Sequence, residues 1–318
     1  MALQAFSRTF PGELECDILE RLGQRDLLST FLVCRRFRAI SGPLLLRHIA
    51  RYRVLVDEQG NRTHPLLPKA YKVFARLIQD SEICRHVRYF EVPTDFRPYA
   101  VPPDAFRTMW LSMTNLVALS LCAKFIIGFD WGLEDIYFPM LRRLRVDSHS
   151  LCPSLITLHI HSLTHLRLDD NVDVPPDDTQ PASLTHYHGP LDTVLRFSLH
   201  ARTLQVCAIY ERDVNGRAEW PSLSPLAACH SLRTLMVDLE ASEADLLHML
   251  KDCPPFPSMD ILFLAYNSVW SNHYPTQPHL QKRREPCFHR LLAPFPTTTR
   301  IAVLASMTAG TRSKTAIG

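Results

Sequence analysis

Glycine is scarce in this chain, ten in 318 residues, so few positions could supply a loop that cradles phosphate. No P-loop, dinucleotide-binding glycine fingerprint or G-x-S-x-G nucleophile elbow occurs. Long apolar runs are missing too. Nowhere do about 18 consecutive apolar residues occur, and the opening residues Met1 to Arg8 hold no apolar core of signal-peptide length. The expectation is a cytoplasmic or nuclear protein without a membrane partner. Charge is balanced, 35 Lys+Arg against 32 Asp+Glu, and the densest basic runs, Arg35-Arg36 with Arg38 and Lys282-Arg283-Arg284, are short. A nucleic-acid partner is therefore not expected. The nine cysteines are odd in number and show no C-x-x-C spacing, which argues for buried free thiols rather than a disulfide framework or a zinc site.

One group of residues has the look of a metal site: His159-x-His161, His165 and His186-x-His188. No cysteine or carboxylate joins it at a known ligand spacing, and on a strand such alternation also arises from polar residues that face outward between buried ones. No cofactor or metal is expected, and no Cys/His or paired-carboxylate arrangement suggests an enzyme.

What is abundant is apolar side chain, 46% of residues against 21% charged, enough for a core in one or two domains. Residues 9–50 read as three short helices. Pro11 suits a first turn and Glu13, Glu15 and Asp17 suit the positive end of the helix dipole. Leu14, Ile18 and Leu22 follow at steps of four, with Leu19 beside them, and Gly23 suits a stop. Asp26 reads as the cap of a second helix carrying Leu27, Leu28, Phe31 and Leu32. A third run places Val33, Phe37, Ile40 and Leu44 at steps of three and four. A cluster this small has more large apolar side chains than it could hide, so some must face a partner or the rest of the chain.

Phe10-Pro11-x-Glu13-Leu14, Ile18-Leu19, Leu22 and Asp26-Leu27-Leu28, followed by Val33-Cys34-Arg35-Arg36-Phe37-Arg38, resemble an F-box. Phe10 stands where that family usually has Leu, and Phe37 where Trp is common. The resemblance implies that Pro11, Leu14, Ile18, Leu19, Leu27, Val33, Cys34 and Phe37 contact the Skp-type adaptor of a cullin-RING ubiquitin ligase.

Residues 51–110 read as a helical linker, with Tyr71, Phe74, Ala75, Leu77 and Ile78 on one helix face, leading into a first strand over Val87 to Val92. Over 111–305 an L-x-x-L-x-L phrase recurs: Leu116/Leu119/Leu121, Leu141/Leu144/Val146, Leu163/Leu166/Leu168, Leu232/Leu235/Val237 and Met259/Leu262/Leu264. Weaker copies fall at Leu184/Tyr187 and Leu204/Cys207/Ile209. The starts are 25, 22, 21, 20, 28 and 27 residues apart, near the spacing of leucine-rich repeats. The body resembles the irregular leucine-rich bodies of fungal F-box proteins. The fold class expected is thus α/β: a three-helix F-box followed by an irregular leucine-rich-repeat-like solenoid with short parallel strands. Loops are expected over 169–181 and 269–286, and a disordered tail over 306–318.

In function the resemblance implies a non-enzymatic substrate receptor, bound through the adaptor to a cullin and through its repeat body to an unknown protein. The alternative is an F-box-like scaffold with no role in ubiquitination. On a repeat strand the residues between the buried leucines face outward, which nominates Arg143, Arg145, His165, Arg167, Tyr210, Met236, Ile261 and Phe263 as substrate contacts, with Asp147 and Asp169 at strand ends.

Overall fold

The computed structural model describes residues 12–49, 55–56, 62–63, 67–92, 103–121, 132–147, 153–169, 181–198, 202–211, 220–239, 243–267 and 300–306. The chain divides into two compact units, Met1–Leu144 and Arg145–Gly318. Among the described residues no helix is long and apolar enough to cross a membrane.

The first unit opens with helices α1 (Gly12–Glu20), α2 (Gln24–Phe31) and α3 (Arg35–Leu46). Glu13 and Glu15 sit in the first turn of α1, where the dipole favours them. Asp26 occupies the first turn of α2 rather than its cap, because the chain leaves Gly23 in extended backbone and makes that residue the N-cap. The three helices share a small core of Leu19, Leu27 and Leu44, with Leu22, Phe37, Ile40 and Leu45 packed half-buried against it. Two ion pairs tie α1 to the third helix and its end: Arg36 donates to Glu15 at 2.8 Å and Arg47 to Glu20 at 2.6 Å.

Strand β1 (His48–Ile49) follows directly, then a two-stranded antiparallel pair, β2 (Leu55–Val56) with β3 (Arg62–Thr63). Helix α4 (Leu67–Gln79) buries Phe74 and Leu77 but leaves Ala75 exposed, so its inward face is narrower than the sequence suggests. The side chain of Tyr71 lies outside the described residues. The short α5 (Ser81–Cys84) is capped by the Asp80 carboxylate, which accepts from the backbone of Glu82 and Ile83. Strands β4 (Tyr89–Val92) and β5 (Ala118–Leu121) flank α6 (Pro103–Ser112), and β1, β4 and β5 pair in parallel. Phe74, Phe90, Trp110 and Phe138 run through the core as successive edge-to-face pairs with centroids 5.1, 5.2 and 6.5 Å apart. Such pairs add about 0.5–1.5 kcal/mol each beyond their burial.

Strand β6 (Arg143–Asp147) begins with the last two residues of this unit and runs into the second. There follow α7 (Pro153–His159), β7 (His165–Asp169), β8 (His186–Gly189), α8 (Leu191–Ser198), β9 (Val206–Glu211), α9 (Ser224–Ala227), β10 (Thr234–Leu239), α10 (Glu243–Leu250), β11 (Ile261–Asn267) and β12 (Arg300–Ser306). Strands β7 to β12 lie side by side in chain order, every pairing parallel. Parallel neighbours require a crossover, and the intervening helices and loops supply it.

Several strand entries share one device, a carbonyl that accepts from two successive backbone N–H groups of the next strand. In the first unit Arg47 accepts from Arg88 and Tyr89, and Arg88 from Val117 and Ala118. In the second, Thr164 accepts from Thr185 and His186, Thr185 from Gln205 and Val206, and Gln205 from Arg233 and Thr234. The repeated phrase explains the core. Every one of its positions from Leu116 to Leu264 is no more than 2% exposed, including the weak copies at Leu184/Tyr187 and Leu204/Cys207/Ile209. Val87, Phe90 and Val92 form a further copy, equally buried, which no leucine marks in the sequence.

His159 closes α7 and is buried, so it shares no strand face with His161, which is exposed. Among the described residues no group of three or more His, Cys, Asp or Glu side chains is placed to hold a metal ion. The expected loops over 169–181 and 269–286 and the expected tail over 306–318 lie, apart from Asp169, Pro181 and Ser306, outside the described residues.

Candidate functional site

The residues nominated from sequence fall into two sets, the helical set in the first unit and the strand set, apart from Arg143, in the second. In the helical set, Leu14 and Ile18 are one turn apart on α1 and remain 48% and 52% exposed. Val33 in the turn before α3 is 53% exposed. Leu28 and Leu32, which the sequence reading placed on the second helix without assigning them a contact, are more than half exposed as well. Their signal was available: Leu27, Leu28 and Phe31 on α2, with Leu32 at its C-cap, give this short element more apolar side chain than a core of three leucines takes up.

Other nominated residues have different roles. Leu19 and Leu27 belong to the three-leucine core, and Phe37 packs half-buried against it, so these three support the helices from inside. Cys34 is exposed and caps α3, its Sγ accepting from the backbone N–H of Phe37 at 3.4 Å. The cap accounts for a polar-tipped small residue at that position without any partner. Pro11 lies outside the described residues. Around this face Arg47, by hydrogen bond and by charge, holds the Glu20 carboxyl below its usual range.

The second surface is the side of the strands turned away from the buried leucines. Arg143 is exposed and lies in the first unit. In the second, Arg145, His165, Tyr210 and Phe263 are half-buried, and Arg167, Met236 and Ile261 exposed, all at the alternate positions that the strand period assigns to this side. The side chains of Asp147 and Asp169 fall outside the described residues.

Strand register sets the neighbours. His165 stands opposite His186, which stands opposite Val206, Thr234 and then Ile261 along the next strands. One step on, Arg167, His188, Ala208, Met236 and Phe263 form a second row. Tyr210 and Asp238 face each other in a third. The two rows therefore pass from basic and imidazole groups on β7 and β8 to Met236, Ile261 and Phe263 on β10 and β11, with Thr234 the polar exception.

His186 and His188, read from sequence only as outward polar residues, complete the basic half. The rings of His165 and His186 stack with centroids 4.2 Å apart and planes within 6°. His188 meets Tyr210 edge-on at 6.4 Å. Each stacked ring is set by the threonine before it, with Nδ1 2.9 Å from Thr164 Oγ1 in one case and from Thr185 Oγ1 in the other. The Thr185 hydroxyl already donates its one proton to the Thr164 carbonyl at 2.9 Å. An Nδ1–H tautomer of His186 is the one this hydroxyl can accept from.

Among the described residues, the buried thiols are tuned away from nucleophilic chemistry. Burial raises Cys84 and Cys229 to about 11, and Cys207 higher still, the opposite of what an activated thiolate needs. Compared with known proteins, the chain matches no family model and no curated protein sequence.

Proposed function

We propose that this protein is the substrate-recognition subunit of a ubiquitin ligase of the Skp/cullin/F-box type. Its N-terminal helices would seat on the adaptor and its repeated strands would hold a protein substrate. The carrying observation is the mismatch between core and apolar content in the first three helices. Three leucines fill the core while Leu14, Ile18, Leu28, Leu32 and Val33 stay at least 48% exposed, within the very stretch that resembles an F-box. Exposed aliphatic residues on a pre-formed helical unit are anchors suited to a helical partner.

The body supports the same reading. A phrase spaced like leucine-rich repeats, buried at every position and feeding parallel strands in chain order, fits a leucine-rich-repeat-like solenoid, whose strand side is a rigid surface for a partner. Catalysis would belong to other subunits, and this chain would raise the effective concentration of substrate near them.

The test is co-purification of the full chain with a Skp-type adaptor and a cullin, followed by capture of substrate. The proposal expects adaptor and cullin to be retained, and retention to be lost when residues 1–50 are deleted. Retention that survives the deletion overturns the F-box assignment. Assembly with adaptor and cullin but no ubiquitin transfer to any captured protein would favour the scaffold alternative.

A further inference from the structure

We propose that the outward face of β7 to β11 binds an extended peptide segment carrying two kinds of side chain at a fixed distance: a carboxylate cluster and, about four residues along, a large apolar group. This rests on the substrate-receptor reading and specifies the class of substrate. Arg167, His186 and His188 would receive the carboxylates; Met236, Ile261 and Phe263 would receive the apolar side chain.

The register carries the argument. Arg167 and His188 are direct neighbours across β7 and β8, and the stacked His165 and His186 lie one row away, so cationic and protonatable groups fill a compact patch two strands wide. The same two rows on β10 and β11 present Met236 and Ile261, 40% and 42% exposed, with Phe263 beside them. Between the patches lie Val206 and Ala208 on β9, which are short enough to let a peptide backbone pass. From β8 to β11 is three strand spacings, about 14 Å, or about four residues of extended chain.

Charge chooses the polarity of the segment. Among the described side chains the first two rows of β7 to β11 hold no carboxylate, and Asp238 stands in the third row opposite Tyr210. A segment crossing rows one and two meets the basic patch. A basic segment would meet like charge there, with Asp238 one row further on. Threonine contacts hold the His165 and His186 rings in place before any ligand arrives, which reduces the ordering cost of binding.

The experiment uses the purified full chain and fluorescein-labelled peptides of about a dozen residues in a Ser/Thr background, read by anisotropy. One peptide carries a Glu pair with a Phe about four residues away, a second only the Glu pair, a third only the Phe. The two-determinant peptide should bind at least about tenfold more tightly than either single one. Added salt should weaken the two Glu peptides and leave the Phe peptide unchanged.

Arg167→Glu should abolish the contribution of the Glu pair, and Phe263→Ala that of the Phe. Met236→Thr provides the same comparison at an exposed strand position should Phe263→Ala not fold. The proposal is overturned if the two-determinant peptide gains nothing over the better single one, or shows no saturable binding up to about 1 mM. It is also overturned if Arg167→Glu leaves affinity intact while thermal unfolding is unchanged. Preference for phosphoserine over the Glu pair by more than about tenfold would overturn the choice of carboxylate. Failure of the receptor reading looks different: adaptor binding is then absent while the peptide discrimination persists.

Discussion

Leu14→Ala combined with Ile18→Ala should separate adaptor docking from folding. Both side chains are about half exposed, at 48% and 52%, so about half of each is left for a partner to bury. Full burial of a side chain of this size is worth about 1.5–3 kcal/mol. The half that remains gives roughly 0.8–1.5 kcal/mol for each residue, and about 1.6–3 kcal/mol for the pair if docking covers both. The dissociation constant for a Skp-type adaptor should then rise about 15- to 150-fold, measured by calorimetry or surface plasmon resonance. Folding should lose less than it does on a core truncation, because only the packed half of each side chain is given up. Leu19→Ala is the contrast. That leucine is 3% exposed, one of three that form the helical core, and its truncation should destabilise the unit by about 2–5 kcal/mol. The reasoning is refuted if the double variant, folded by circular dichroism, binds adaptor as the wild type does. It is refuted equally if the double variant melts the helices as Leu19→Ala does.

Gly189→Ala should lower stability by about 1–3 kcal/mol in urea unfolding, because a Cβ there would stand 2.7 Å from Tyr187 Oη and 3.1 Å from Leu168 Cβ. The Tyr187 hydroxyl is buried and donates to the Pro190 carbonyl at 2.9 Å, so it cannot simply swing aside. Adding Tyr187→Phe should recover part of the loss, and a neutral Gly189→Ala would show that the site yields. Cys34→Ser should stabilise α3 by up to about 1 kcal/mol, since a hydroxyl is a better N-cap acceptor than a thiol; a fall in the unfolding midpoint would sink the capping role. Cys84 and Cys229 have ordinary thiol values near 9 and are raised by burial to about 11 in the folded protein. Between those values the unfolded chain ionises and the folded one does not, so their contribution is full below about pH 9 and is lost as the pH rises toward 11. Urea midpoints against pH should decline more gently in a Cys84→Ala, Cys229→Ala variant than in wild type, and identical slopes would contradict the assignment.

The sequence by itself determined the strand core. The residues at the first, fourth and sixth places of the phrase, mostly leucines, are buried where it was read, because a turn followed by a period-two strand sends those places to one side whatever packs there. It also determined that the first helices hold too many apolar residues to hide. Which of those residues stay outside was decided by tertiary structure. Leu14, Ile18 and Leu19 all sit on one short helix, and only packing against Leu27 and Leu44 selects Leu19 for the core and leaves the other two exposed. The copy at Val87, Phe90 and Val92 escaped for a related reason, since burial asks for volume and shape, which valine and phenylalanine supply without the leucine that marks the phrase. The stacked imidazoles lay furthest from what sequence can show. His165 and His186 are 21 residues apart in the chain, and their contact depends on the register between β7 and β8, fixed by the Thr164 carbonyl that accepts from both Thr185 and His186. A shift of one residue would turn these rings to the other side of the sheet, so their pairing exists only once backbone hydrogen bonds between strands have formed.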